Sequence, residues 1–278
     1  MKRVGENGEE SKKINVNFSD SGASNDQLYV IDENNNVISV VNATTNNVVS
    51  TIPVGHQPVS LNGNPNNNRI YVTNGGSQTV SVIDGATNTV IAIIPVGVQP
   101  AGVGINPYIN RIYISNRGSN TVSVIDGLTN TVISTISVET YPTDIDVHPY
   151  INRIYVTNEF KNTVSVIDGL TNTVISTILV ESQPSGIGIN SATNRIYISN
   201  RGSNTVSVID AITNTVMAII PVGNQPTGIE VNSSNNQIYV THEVENTISV
   251  IDGLTNIVVA TVPVTSPMAN IDEDLSLE

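Results

Sequence analysis

The sequence predicts an all-β fold, a six-bladed β-propeller of four-stranded antiparallel blades, on three observations. A tyrosine recurs every 42 residues, at Tyr29, Tyr71, Tyr113, Tyr155, Tyr197 and Tyr239; a fixed period of that length marks a supersecondary unit stacked on copies of itself. Within each unit, runs with apolar residues at alternate positions are separated by Asn, Asp, Gly and Pro, the pattern of short strands and turns. No segment has the 3.6-residue period or the capping signals of a helix. Trp is absent and Phe is confined to Phe18 and Phe160, so the core falls to Val, Ile and Tyr, which suit strands.

The unit from Pro100 serves to place the elements. Ala101–Asn106 reads as strand A, followed by a turn at Asn106–Arg111 containing Pro107. Arg111–Asn116 is strand B, Thr121–Asp126 strand C and Thr131–Val138 strand D, with polar turns between them. Strands C and D are apolar on both faces, through Val122, Val124 and Ile125 and through Val132, Ile133 and Ile136. A blade sandwiched between two others requires this. Units two to six open on Pro58, Pro100, Pro142, Pro184 and Pro226. The first unit takes its strand A either from Ile14–Phe18 or, by exchange that closes the ring, from Pro267–Asp272. Seven blades would need material from outside this chain. The reading is one propeller domain over 13–272, preceded by a flexible charged segment, 1–12, and followed by an acidic tail, 273–278.

Composition narrows the partners. A formal charge of −13 repels phosphate backbones, and the arginines are spread through the repeats, so nucleic acid is disfavoured. Without Cys there is no disulfide and no thiolate chemistry. The polar start lacks an apolar signal-peptide region, and nothing reaches membrane-spanning length.

The phrase Ile-Tyr-Val-Thr-Asn around Tyr71 and Tyr155, with Val-Ile-Asp-Gly and the later Ile-Pro-Val-Gly at Ile94–Gly97, resembles the YVTN-repeat β-propeller family. The resemblance covers most of the chain. It implies the propeller fold and an extracellular or cell-surface setting in prokaryotes, but no single activity. Departures from the pattern include Asp32 and His242 at the Asn position and Ala43 and Ala211 at the turn glycine.

Repeated residues specify scaffold, so function is sought where one unit departs from its siblings. In an antiparallel A–B–C–D blade the D–A and B–C loops emerge on one face. Unit four is the outlier there, with Glu139 and Tyr141 before strand A, and Glu159, Phe160 and Lys161 where siblings carry a glycine turn. An exposed aromatic pair can anchor a partner or stack on a sugar. Gln57, Gln99, Gln183 and Gln225, each preceding a proline, either form a polar binding ring or set the entry turn. Along strand A of unit four, Asp144, Asp146 and His148 alternate, and Glu230 is the matching intrusion in unit six. These carboxylates offer either a calcium site at the axial channel or a solvated lining. His56, His148 and His242 are too dispersed for a zinc triad, and surface or hydrogen-bonding roles fit them. Asp84, Asp126, Asp168, Asp210 and Asp252 each end a strand before a turn and cap it.

The functional expectation is a non-enzymatic scaffold that uses the D–A and B–C loop face to bind a protein or a surface polymer, with no cofactor. Carbohydrate or calcium binding at the channel is one alternative. A hydrolase or lyase is the other.

Overall fold

The computed structural model describes residues 14–16 and 27–264. They form 24 strands in six four-stranded antiparallel sheets, each in simple up-and-down order. Blade 1 comprises Ile14–Val16, Gln27–Asp32, Val37–Asn42 and Asn47–Pro53; blade 4 comprises Pro142–His148, Arg153–Asn158, Thr163–Asp168 and Thr173–Leu179. In blade 3 the observed strands B and C, Arg111–Asn116 and Thr121–Asp126, coincide with those read from sequence. Strand A begins at Pro100 and strand D ends at Ser137. The first strand A comes from the N-terminal segment, with Asn15 opposite Tyr29. Pro267–Asp272 lies outside the described residues.

The repeated phrase becomes intelligible bond by bond. In Ile-Tyr-Val-Thr-Asn the isoleucine and valine face the preceding blade and the tyrosine the following one, so Ile70 and Val72 pack with blade 1 while Tyr71 packs with blade 3. The Thr or Ser hydroxyl accepts the strand A amide at a β-bulge: Thr73 from Ser60, Ser115 from Gly102, Thr157 from Asp144, Ser199 from Gly186 and Thr241 from Gly228. It also donates onward to the next blade, as Thr157 does to the Ser185 carbonyl at 2.9 Å. The buried Asn donates to the central serine of strand C, Asn74 to Ser81 at 3.0 Å and Asn158 to Ser165 at 2.9 Å. The Thr or Ser hydroxyl and the Asn side-chain N–H thus have partners fixed by the repeat, whereas the hydroxyls of Tyr71, Tyr113 and Tyr197 are buried without one among the described residues.

Strand C is buried on both faces, with Val122, Val124 and Ile125 inaccessible. Strand D departs from the expectation: Ile133 is 47% exposed and Val132 half-buried, while Ile136 is covered. The outermost strand lies where neighbouring blades splay apart, so only the residue nearest the inner strands is enclosed. A bulge between Val124 and Ile125, repeated at the same place in other blades, bends strand D out of the ladder.

The strand-ending aspartates are turn caps. Asp84, Asp126, Asp168, Asp210 and Asp252 accept amide bonds from the residues two and three ahead, as Asp168 does from Leu170 and Thr171 at 2.9 Å. Chiefly the threonine amide of each turn holds these carboxyls below the ordinary 3.8. A carboxyl depressed in the folded state contributes stability above 3.8 and loses it as pH falls through the folded value. Five caps titrating together should make the melting temperature fall steeply below about pH 4. Alanine at all five positions should flatten that fall, and an unchanged slope in a thermal scan would refute the role.

Candidate functional site

The D–A and B–C loops meet around the channel mouth through a fixed set of backbone bonds. The residue before each proline sits in the left-handed region: Gln57 (φ 52°), Gln99 (51°), Tyr141 (64°), Gln183 (54°) and Gln225 (50°). In four of these the amide is taken by an asparagine side chain at the end of the B–C turn, as Tyr141 is by Asn120 and Gln183 by Asn162, both at 2.9 Å. Their carbonyls accept the first amide of a B–C loop, including Glu159 to Tyr141 at 3.0 Å and Arg201 to Gln183 at 2.9 Å. The recurrent glutamines thus serve first as turn formers. Tyr141 is the one aromatic among the described non-glycine residues at positive φ. A bulky residue there costs about 1–3 kcal/mol, and such strain concentrates at functional sites.

What offsets the strain is visible beside it. Tyr141 stacks on Phe160, with ring centroids 4.2 Å apart and planes at 16°. The Arg117 guanidinium lies over the Tyr141 ring, 5.0 Å from its centroid. Phe160, on the single turn of 3-10 helix Glu159–Lys161, is 61% exposed. The Nε of Arg117 is buried without a hydrogen-bond partner among the described residues. Across the mouth Arg201 pairs with Glu243 at 3.0 Å.

Below this rim the cavity narrows onto the inner strands. Asp144 sits at the bulge of strand A in blade 4, where the register shifts between Pro142 and Ile145. Its two oxygens accept the amide of Ile145 at 2.9 Å and that of Ile187, in blade 5, at 3.0 Å. Asp144 thereby ties two blades together at the channel. A Cβ on Gly102 would lie 2.9 Å from its Oδ1, so blade 3 needs glycine beside it. Asp146 Oδ1 accepts the Val147 amide at 2.7 Å. Its equivalents at 42-residue steps are Asn62, Gly104, Gly188 and Glu230, and the glycines leave room beside the two acids.

The rim and the inner strands enclose one cavity of about 680 Å³, lined by Tyr141, Glu159, Phe160, Gln183, Asp144, Asp146 and Glu230 together with Arg117, Arg201 and Glu243. The aromatic pair and the carboxylates, expected as separate sites, share this space because strand A runs from Tyr141 directly to Asp144. Gln225 joins Gln183 and Arg201 in a neighbouring hollow of about 590 Å³. Gln57, Gln99, Glu139 and Lys161 line neither cavity. Sequence reading passed over Arg117, Arg201 and Glu243 as site residues. Comparing one position through the units reveals them: after the uncharged Gly75, Arg117, Glu159, Arg201 and Glu243 alternate in charge around the mouth. Among the described residues no group of three or more His, Cys, Asp or Glu is placed to hold a metal ion, and no helix is long and apolar enough to cross a membrane.

The histidines at strand ends replace asparagines of the repeat. His148 Nε2 lies 3.0 Å from Asn194 Oδ1, the bond that Asn106 makes to Asn152 and Asn190 to Asn236. His242 Nε2 reaches Ser249 at 2.8 Å, as Asn200 reaches Ser207. Both are buried, so of the surface and hydrogen-bonding roles expected for them the hydrogen-bonding one applies. Burial lowers both imidazole pKa values below 6.5, so the unfolded chain takes up protons that the folded chain resists. Their contribution is complete above 6.5 and is lost as pH falls through the folded values. Replacing both with asparagine should flatten the loss of melting temperature between about pH 7 and pH 5; an unchanged slope would contradict this assignment.

Comparison with known proteins adds two findings. A family model described as lactonase, 7-bladed β-propeller, matches residues 142–257. Hydrazine synthase of Kuenenia stuttgartiensis superposes with a TM-score of 0.78 at 19% identity, covering 88% of this chain and 85% of that one; at that identity the likeness concerns the fold. A search of curated proteins gives no match. The lactonase match is hard to reconcile with a purely non-enzymatic scaffold and corrects that expectation. Physically, Tyr141, Glu159 and Phe160 of the loop face share one charged cavity with Asp144, Asp146 and Glu230. The chain is a β-propeller, and its blades 4 to 6 are similar to those of the seven-bladed lactonases.

Proposed function

We propose that the protein hydrolyses cyclic esters in the axial cavity. The observation that carries this reading is coincidence in sequence: the stretch that matches the lactonases, 142–257, also supplies Asp144, Asp146, Glu159, Arg201, Glu230 and Glu243 to one cavity. Asp144 is committed to the junction between blades 4 and 5, so the general base is Asp146. It takes a proton from water as the water oxygen attacks the ring carbonyl carbon. Arg117 stabilises the oxyanion that forms, since a guanidinium donor beside developing negative charge favours the transition state. Collapse of the tetrahedral intermediate breaks the ring C–O bond, and the leaving alkoxide recovers the proton from Asp146. The product is a hydroxy acid, anionic at neutral pH, and Glu159, Glu230 and Glu243 favour its departure by like-charge repulsion. The exposed face of Phe160 receives the substrate ring. Within the propellers we assign the repeat to the YVTN type, on the recurrence of Ile-Tyr-Val-Thr-Asn and Ile-Tyr-Ile-Ser-Asn in register.

A pH-stat screen of γ- and δ-lactones and of open-chain aryl esters tests the activity. At least one lactone should be hydrolysed well above its uncatalysed rate and in preference to the aryl esters. Background rates across the panel, with the protein folded by circular dichroism, would overturn the proposal. Phe160→Ala should raise KM about tenfold with little change in kcat, the signature of lost uniform binding.

A further inference from the structure

None of the six strands D carries a charged residue, although the chain as a whole has a formal charge of −13. Each is the last strand of its sheet, and among the described residues no strand pairs with its outer side. An uncharged, apolar edge of this kind is a template for another strand, and proteins blunt such edges with charge, bulges or proline. Here the device is proline in four blades, where strand D ends on Pro53, Pro95, Pro221 and Pro263. Blades 3 and 4 have Ser137 and Leu179 instead. The direction of the neighbouring amide shows what that changes. The residue after this position turns its N–H inward in every blade, as Val54 donates to the Asn36 carbonyl at 3.0 Å and Val180 to that of Asn162 at 2.9 Å. Backbone groups of successive strand residues point to opposite edges, so the position itself faces outward. Proline there offers no donor. Leu179 keeps its outward N–H, as does Thr177, because the bulge of this strand lies earlier and Ser176–Leu179 is in regular register.

We infer that the outer edge of blade 4, Thr173–Leu179, pairs antiparallel with the same strand of a second copy of this chain. A two-fold axis beside Ile178 sets Thr177 of each copy opposite Leu179 of the other. Each of these two pairs exchanges two N–H···O=C bonds, and proline in place of Leu179 would remove one bond from each. The occupant follows from charge and from symmetry. Two copies that each carry a charge of −13 repel wherever their acidic surfaces meet, whereas the strand D edges meet without charge. A strand paired with itself across a two-fold is its own complement and closes at two copies. Blade 4 is favoured over blade 3 by its side chains. Leu179 is 72% exposed and Ile175 46%, an apolar flank to the seam, while the corresponding end of blade 3 is the polar Ser137. Blade 4 also stands two blades from either chain end of a possible continuation at blade 6, so further repeats would extend the array and leave this edge open.

Sedimentation of the intact chain over a range of concentrations tests this, with amide hydrogen exchange read at both ends of the range. A monomer–dimer equilibrium is expected, and the amides of Thr177 and Leu179 should exchange about tenfold or more slowly in the dimer than in the monomer. Leu179→Pro writes the residue of four sibling blades into the fourth, so it should leave the circular dichroism spectrum unchanged and yield a monomer at the concentrations where the parent dimerises. Should that variant fail to fold, Leu179→Lys decides the matter, since the side chain is largely exposed and a lysine guards an edge. Ser137→Pro should leave the dimer intact. A chain that stays monomeric up to its solubility limit would overturn the inference, as would a dimer that survives in folded Leu179→Pro or Leu179→Lys, or one that dissociates with Ser137→Pro. Protection of Thr177 and Leu179 at dilutions where the chain is monomeric would overturn it too, because the edge would then be covered from within one chain.

Discussion

Tyr155→Ala should destabilise the protein by about 3–5 kcal/mol, the cost of emptying a fully buried aromatic site, and Tyr239→Ala by well under half of that. The two residues occupy the same place in the same repeated phrase, so the difference isolates burial from sequence. Tyr155 has no exposed surface and packs among Val164, Val166, Ile178 and Ile187, across the junction of blades 4 and 5. Its hydroxyl donates to the Ala211 carbonyl of the next blade, and burial pushes its pKa up to about 12, so it remains a neutral donor throughout the physiological range. Tyr239 lies half-exposed at the end of the array. For a chain of this size each kcal/mol shifts the melting temperature by about 2–4 °C. Calorimetry should therefore find the melting temperature of Tyr155→Ala lowered by roughly 6–20 °C. Equal losses for the two variants would contradict the packing described for the end blade.

Asp146→Asn should reduce kcat for a cyclic ester by about 10²–10⁴-fold, the range associated with a positioned general base, with KM little changed. Asparagine matches the volume of aspartate and occupies the equivalent position of blade 2, at Asn62, so the fold accepts it. Asp144→Asn should differ in kind. Asp144 Oδ2 accepts the Ile187 amide, and the loss expected there is in thermal stability together with activity. If Asp146→Asn retains wild-type kcat while the protein turns over lactones, the base lies elsewhere.

How much was legible in the sequence follows from what the repeat constrains. Strands B and C could be bounded because Tyr113 and Asp126 stand at fixed offsets from turn residues and both faces of strand C are enclosed. Strand D could not be read as well: Val132, Ile133 and Ile136 look alike in sequence, and only position within the wedge of the blade decides that Ile136 is covered and Ile133 is not. Tyr141, Phe160, Asp144 and Asp146 were identifiable as breaks in the repeat. Their convergence was not, because it depends on three residues of strand A carrying the chain from the rim to the channel. Arg117 and Arg201 were legible as residues of the B–C loops but not as site residues, since a charged residue on a polar loop has an ordinary explanation until its neighbours in other blades stand beside it. His148 and His242 illustrate the reverse. As isolated histidines they invite a functional reading, and the asparagine bonds they reproduce show them to be scaffold.

The most direct test of the account is a crystal structure of the protein soaked with a cyclic phosphonate, a stable mimic of the tetrahedral intermediate of ester hydrolysis. Such mimics bind more tightly than substrates when a site is complementary to the transition state. The account predicts phosphonate density in the axial cavity, its oxygens between Asp146 and the Arg117 guanidinium and its ring against Phe160. Density on the opposite face, or a cavity that stays empty at saturating phosphonate while lactone turnover persists, would contradict it.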